Sequence, residues 1–182
     1  KTEYAYKINN PSAVNNYIYK NGDAFFLTLS YSKRGFGLMG TFKRVDNFSF
    51  KSNTAVLGNP LDINYLPAQT VQQVYSLAIM YPYASQPNGE MGFQGQLVYT
   101  IPKKSKLGGR YGTKLKFDYS YLSSIDMQPV EPGIPIGQTG TDGYKSDFFK
   151  LGDETYYQEF NVYLSKKFNP KWKAVGAYIN QW

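Results

Sequence analysis

The stretch Met91–Tyr121, MGFQGQLVYTIPKKSKLGGRYGTKLKFDYSY, decides how the rest of the chain is read. Its first half puts Met91, Phe93, Leu97, Tyr99 and Ile101 on one side of an extended chain, with Gly95 among them. Gly92, Gln94, Gln96, Val98 and Thr100 fall on the other side. Its second half sets Leu115, Phe117, Tyr119 and Tyr121 against Lys114, Lys116, Asp118 and Ser120. A period of two marks a strand, because successive side chains of an extended backbone point to opposite faces. A basic, glycine-rich connector joins the halves, so together they predict a hairpin. Each strand runs about 10 residues, the length a tilted strand needs to cross a bilayer and about twice the usual globular strand. The spacing predicts an all-β fold, an antiparallel, up-and-down transmembrane β-barrel. Phe93, Leu97, Tyr99, Ile101, Leu115, Phe117, Tyr119 and Tyr121 then face lipid. Lys114, Lys116 and Asp118 face the lumen, as do Lys43 and Glu159 on the polar sides of other strands.

The same period recurs outward from that hairpin. Upstream, Ala24–Ser32 alternates with Phe25, Leu27, Leu29 and Tyr31 in phase, turns at Lys33-Arg34-Gly35 and returns through Phe36–Arg44. Glycine at the end of that turn supplies the positive φ a tight turn wants. Glu3–Ile8 predicts a first strand, and Asn9–Asn21 a loop in which Tyr17–Tyr19 is a further short pairing segment. Gln73–Tyr83 also alternates, with Tyr75, Leu77, Ile79, Tyr81 and Tyr83 in phase, and Pro82 marks its end because proline cannot donate to a ladder. Ala84–Glu90 is a turn, and Thr155–Lys167 with Lys171–Asn180 makes a last hairpin around Asn169-Pro170.

Residues 1–182 thus form one barrel domain, or an excerpt of a larger barrel, with long loops at about 46–72 and 122–154. Counting one crossing per strand sets these two loops at opposite ends. Bacterial barrels keep long loops outside and short turns inside, so the loop at 46–72 falls on the wrong side. It is either a luminal plug or long inner loop, or it hides an extra strand such as Phe48–Ser52. Both remain open on the sequence.

Composition narrows the function classes. There are 18 tyrosines against 12 phenylalanines and 2 tryptophans, a balance suited to strand ends at a polar–apolar boundary. Tyr81, Tyr99, Tyr121 and Tyr163 lie near such ends. No run approaches the 18 apolar residues of a spanning helix, a test that a barrel escapes because only alternate residues face lipid. With no cysteine and no histidine, the chain lacks disulfides, thiolate chemistry and the commonest general base and metal ligand. Lys1–Asn10 alternates like a strand rather than a signal peptide, so a mature chain or an excerpt is expected.

Ile63–Pro67 (INYLP), Tyr81-Pro82-Tyr83, Asn88-Gly89-Glu90, Ile101-Pro102 and Leu107–Thr113 (LGGRYGT) occur in this order. Over about Phe36 to Tyr121 the chain resembles an uncharacterised outer-membrane β-barrel family of the Bacteroidota. The resemblance implies a barrel fold, a location in the bacterial cell outer membrane and a longer parent chain. It implies no activity and no site residues.

Three charged constellations remain. Lys103, Lys104, Lys106 and Arg110 beside Gly108-Gly109 lack the helix start and Walker spacing of a phosphate loop. A solvated basic turn touching lipid headgroups or lipopolysaccharide phosphates is the expectation. Nucleic acid is not expected, because the strands are too long and regular for a small oligonucleotide-binding fold. Leu122–Glu154 holds six acids against two bases in a chain of net charge +7, without the spacing of a calcium loop. Asp118 and Glu159 are the carboxylates best placed to meet, and luminal charge pairing accounts for them more simply than glycoside hydrolysis. No enzyme activity and no cofactor are expected. The expected partners are outer-membrane lipid or lipopolysaccharide, with another envelope protein if the barrel is a docking component. A passive pore, or a structural or docking part of an envelope complex, is the leading expectation. The alternative is a soluble secreted β-sandwich that binds glycan through tyrosine-rich surfaces. A sandwich also alternates, but it has shorter strands and turns every 8–12 residues or so.

Overall fold

A computed structural model describes residues 1–58, 60–79 and 83–182. Seven strands follow one another: β1 Thr2–Lys7, β2 Gly22–Lys33, β3 Phe36–Asp46, β4 Gly89–Ile101, β5 Thr113–Gln128, β6 Lys145–Lys167 and β7 Lys173–Gln181. They form a single antiparallel sheet in chain order. Among the described residues no helix is long and apolar enough to cross a membrane.

The register follows from the alternation. Phe42 lies across from Phe93 and Phe93 from Tyr121, Leu38 from Leu97 and Leu97 from Phe117, and Phe36 from Tyr99 and Tyr99 from Leu115. The row extends to Tyr4 opposite Phe25 at one edge and to Val162 opposite Tyr178 at the other. A slip by one residue in any pair would scatter the apolar residues over both faces. One face of the sheet is therefore largely apolar from β1 to β7, except at the long-loop end where Asp23, Arg44 and Asp46 fall in its phase, and the other carries Lys7, Thr41, Lys43, Gln96, Asp118, Ser120, Glu159 and Asn161.

The expected antiparallel meander is present, but the sheet is open rather than closed into a barrel: β1 and β7 pair only with their inner neighbours. An odd number of alternating strands leaves β1 and β7 running in the same direction. Their edges could meet only as a parallel pair, which breaks the up-and-down pattern.

The strand expected at Gln73–Tyr83 is not formed by the residues described there. Ser76–Ile79 is a single 3-10 turn, and Met80, Tyr81 and Pro82 lie outside the described residues. The reason lies in its neighbours: β3 and β4 pair directly from Phe36–Tyr99 to Asp46–Gly89, leaving no edge for a strand between them. Phe48–Ser52 contributes only one isolated bridge, Lys51 with Asp62. With one crossing fewer, the conflict over loop sides disappears. The long connections 8–21, 47–88 and 129–144 all lie at one end, and the short ones 34–35, 102–112 and 168–172 at the other.

The irregular stretch expected at 122–154 is shorter than that, because β5 and β6 continue through register shifts beyond Leu122. Gly152 permits the close approach there, since a Cβ would sit 2.2 Å from Ser124 Oγ and 2.6 Å from Ile125 O. Tyr17–Tyr19 forms no strand but bonds to the facing loop, with Tyr19 N–H donating to Thr141 O at 2.8 Å.

Burial is inverted relative to a water-soluble sheet. On the apolar face Leu29 is 64% exposed and Tyr178 58%, while on the polar face Lys43 is 2% exposed and Glu159 0%. Among the described residues the buried apolar cluster, Ile18, Met91, Ile125 and Tyr144, sits at the long-loop end.

Glycine positions test the register. A Cβ at Gly92 would fall 2.2 Å from Tyr121 O, whereas one at Gly95 would meet nothing within 4 Å. Gly92→Ala should lower stability by about 1–3 kcal/mol, the usual cost of overpacking, while Gly95→Ala leaves it unchanged or slightly raised. Urea unfolding of the two variants checks this, and equal shifts would contradict the register.

Candidate functional site

The polar face is covered by the chain itself. Among the described residues of the connection 47–88 the one bridge is Lys51 with Asp62, so its backbone groups need other partners, and it folds back over the strands that offer polar side chains. Contacts run the full width of the sheet. From β1, Lys7 Nζ donates to Ser49 O at 2.9 Å. From β3, Lys43 Nζ donates to Pro67 O and to Ser85 Oγ, each at 2.8 Å, and Thr41 Oγ1 accepts from Gln69 Nε2 at 2.8 Å. From β6, Glu159 Oε1 accepts from Val71 N–H at 2.5 Å, and Tyr163 OH donates to Gln73 Oε1 at 2.6 Å. From β7, Gln181 Nε2 reaches Ala78 O at 3.5 Å.

The charges beneath this cover are ion-paired or, for Lys7 and Glu159, held by hydrogen bonds alone. Lys43 Nζ meets Glu90 Oε1 at 2.5 Å. Glu90 also accepts from Gln86 N–H at 2.8 Å and from the Tyr83 hydroxyl. Burial, and then the Glu90 carboxylate, hold the Tyr83 phenol protonated far above the ordinary tyrosine range. Asp118 accepts from Gln96 Nε2 at 2.7 Å and pairs with Lys116 at 2.9 Å. Glu159 accepts further bonds from Ser120 Oγ at 2.9 Å, Asn161 Nδ2 at 3.0 Å and Tyr157 OH at 3.2 Å. Such saturation is what buried ions require, since an unpaired one costs several kcal/mol.

The five charged residues assigned to one side by the sequence share this face. Lys43, Asp118 and Glu159 are buried, Lys116 is half-buried and Lys114 is exposed. The eight residues assigned to the other side share the apolar face, with Phe93 and Tyr99 exposed and the rest half-buried. Asp118 and Glu159 do approach across the ladder, as Asp118 faces Asn161 and Ser120 faces Glu159. Both are committed to the hydrogen bonds above, which leaves neither free in a cleft. Sequence reasoning missed Glu90, treating it as the last residue of a turn. Its phase with Gly92, Gln94 and Gln96 is the signal that places it on the strand.

A second network ties the long loops together at their end of the sheet. Arg44 pairs with Asp23 at 2.6 Å and Asp46 at 2.9 Å, and lies 4.8 Å from the centre of the Phe148 ring. Tyr144 OH donates to Asp46 Oδ1 at 2.6 Å, and burial followed by the Asp46 charge raises its phenol well above the ordinary range. Lys20 and Ser146 complete the cluster around Asp46. It gathers groups from both strands and loops into one clamp.

Lys43→Met leaves Glu90 buried without its cation and should cost about 3–5 kcal/mol in urea unfolding, whereas adding Glu90→Gln should recover part of the loss. Tyr83 sets a pH dependence with a definite sign. Its folded pKa is raised, so its contribution is complete below about pH 10, the ordinary tyrosine value, and is lost as pH rises above it. Stability should fall from pH 9 to pH 11 or so, less steeply in Tyr83→Phe; parallel curves would contradict this.

Neither a curated protein nor a solved structure matches the chain. A family does, over a span wider than the motifs between Phe36 and Tyr121. Matched along residues 1–182, the chain belongs to DUF6029, a family of unknown function.

Proposed function

We propose that this chain is a section of the wall of an outer-membrane β-barrel whose interior is filled by the connection 47–88. In this reading it is a structural or docking component of the envelope rather than a passive pore. The observation that carries the reading is the inverted burial. The apolar face is exposed from Tyr4 to Tyr178, while the polar face is covered and hydrogen-bonded from Lys7 to Gln181. In water such a sheet leaves its apolar residues wet; in a bilayer the same face meets hydrocarbon. A sandwich would bury the apolar face against a second sheet, and among the described residues there is one sheet only. The gathering of the long connections at one end, with short turns at the other, is the asymmetry of bacterial barrels. The family's description names no location, so the reading rests on this geometry.

Two consequences follow. Backbone groups at a free edge cannot stay unpaired within hydrocarbon, so further strands pair with β1 and β7 in the membrane. A filled interior conducts little, so the loops clamped at Asp46 are the surface on which a partner docks.

Phe117→Arg places a guanidinium on the apolar face, where it costs about 2–4 kcal/mol near the membrane midplane. It should abolish recovery of folded protein in salt-washed membranes, whereas Lys116→Ala one residue away is tolerated. Equal damage from the two, or recovery of the wild-type chain in buffer without detergent, would overturn the reading.

A further inference from the structure

The ends of the sheet differ in charge as well as in loop length. None of the 13 acids falls within Ala24–Val45, Met91–Phe117 or Phe160–Trp182, the stretches that carry the short turns. Fourteen of the 20 Lys and Arg fall in these stretches, ten of them at the short-turn end: Lys33 and Arg34 in the first turn, four bases from Lys103 to Arg110, and four from Lys166 to Lys173. Among the described residues none of these ten forms an ion pair. Of the other ten, Lys1, Lys20, Lys43, Arg44, Lys51, Lys116 and Lys150 do. Unneutralised cations concentrated at one end offer a surface to a negative partner outside the chain.

Aromatic rings border the same turns. Tyr31 and Phe36 flank the first, with ring centres 6.2 Å apart. Lys167 lies 5.5 Å from the centre of the Tyr111 ring and Lys166 5.9 Å from that of Phe168. Trp172 is exposed at the tip of the last turn. An aromatic ring beside a long cationic side chain is the arrangement that suits a headgroup layer, with the ring at the apolar boundary and the charge reaching outward. The turns also lie two strands apart from one another, so their charges follow the rim of the sheet from β2 to β7. A folded partner meets one patch; a headgroup layer meets a whole rim.

We propose that the short-turn end is a rim that binds the headgroups of anionic phospholipid and so fixes which leaflet this end occupies. The inference rests on the membrane reading above. A lysine or arginine close to an anionic lipid surface strengthens association about fivefold, and salt screens the effect.

The test uses the protein reconstituted in phosphatidylcholine membranes containing trace spin-labelled phosphatidylglycerol or phosphatidylcholine, and reads the motionally restricted fraction of each label. The expected result is a preference of about fivefold or more for phosphatidylglycerol, weakened at about 1 M salt. The variant Lys103→Gln/Lys104→Gln/Lys106→Gln/Arg110→Gln should lose most of it, while Lys145→Gln/Lys150→Gln at the other end keeps it. Equal restriction of both labels overturns the inference and leaves the rim to an acidic protein partner. A preference that survives the turn substitutions, or that inorganic phosphate abolishes at matched ionic strength, also overturns it. Restriction of neither label means that the membrane reading itself has failed.

Discussion

Lys43 and Glu90 meet almost wholly out of contact with solvent, in the middle of a face that would be wet in an ordinary half-buried sheet. The rest of the structure depends on that burial. Two ions so placed are tolerable only when their remaining donors and acceptors are satisfied, and here the satisfaction comes from Pro67, Ser85, Gln86 and Tyr83. The connection 47–88 is therefore the other half of the core. Its backbone carbonyls and amides need partners, the strands supply them, and the polar face acquires a cover held mostly by hydrogen bonds. The alternate residues of the strands are left to the other face, and away from the long-loop end, where Asp23, Arg44 and Asp46 fall in the same phase, most of them are apolar.

This arrangement separates two tasks that one apolar core performs in a water-soluble domain. Specificity of register comes from the polar side, where Asp118 with Gln96 and Glu159 with Ser120 fix neighbouring strands against each other. Under the proposed membrane reading, the apolar side would contribute through its surroundings, because a row such as Leu38, Leu97 and Phe117 gains from a solvent of hydrocarbon. The long-loop end is built differently. There Arg44, Asp23, Asp46 and Tyr144 form a clamp beside the small core of Ile18, Met91 and Ile125, the packing of a water-exposed cap.

Much of this was legible in the sequence, and the misreadings have physical causes. Alternation in Met91–Tyr121 fixed both faces of β4 and β5, because side-chain direction is a local property of an extended chain. The same period in Tyr75, Leu77 and Ile79 misled, because a strand also needs a free edge, and β3 pairs with β4 along its whole length. That competition is between distant segments, and no local pattern carries it. The continuation of β5 and β6 was hidden by register shifts after Leu122, where the alternation breaks although the pairing goes on. The sequence left open whether 46–72 was a plug or long inner loop or hid a strand, and the contacts of 47–88 were not legible at all: Gln69, Val71 and Gln73 gain their positions from side chains on β3 and β6 that only the fold brings near. An open sheet in place of a closed barrel depends on strand parity, which one misplaced strand was enough to reverse.

The central claim is that the apolar face meets hydrocarbon and the polar face is closed to it. The chain has no cysteine, so single labels can be placed without background. Nitroxides at Gln94→Cys, Gly95→Cys, Gln96→Cys, Leu97→Cys and Val98→Cys, in the protein reconstituted in lipid, would be read for collision with oxygen and with a water-soluble nickel chelate. Oxygen partitions into hydrocarbon and the chelate does not. The account predicts high oxygen and low nickel accessibility at 95 and 97, with both low at 94, 96 and 98. Nickel reaching 95 and 97 as freely as oxygen would contradict it.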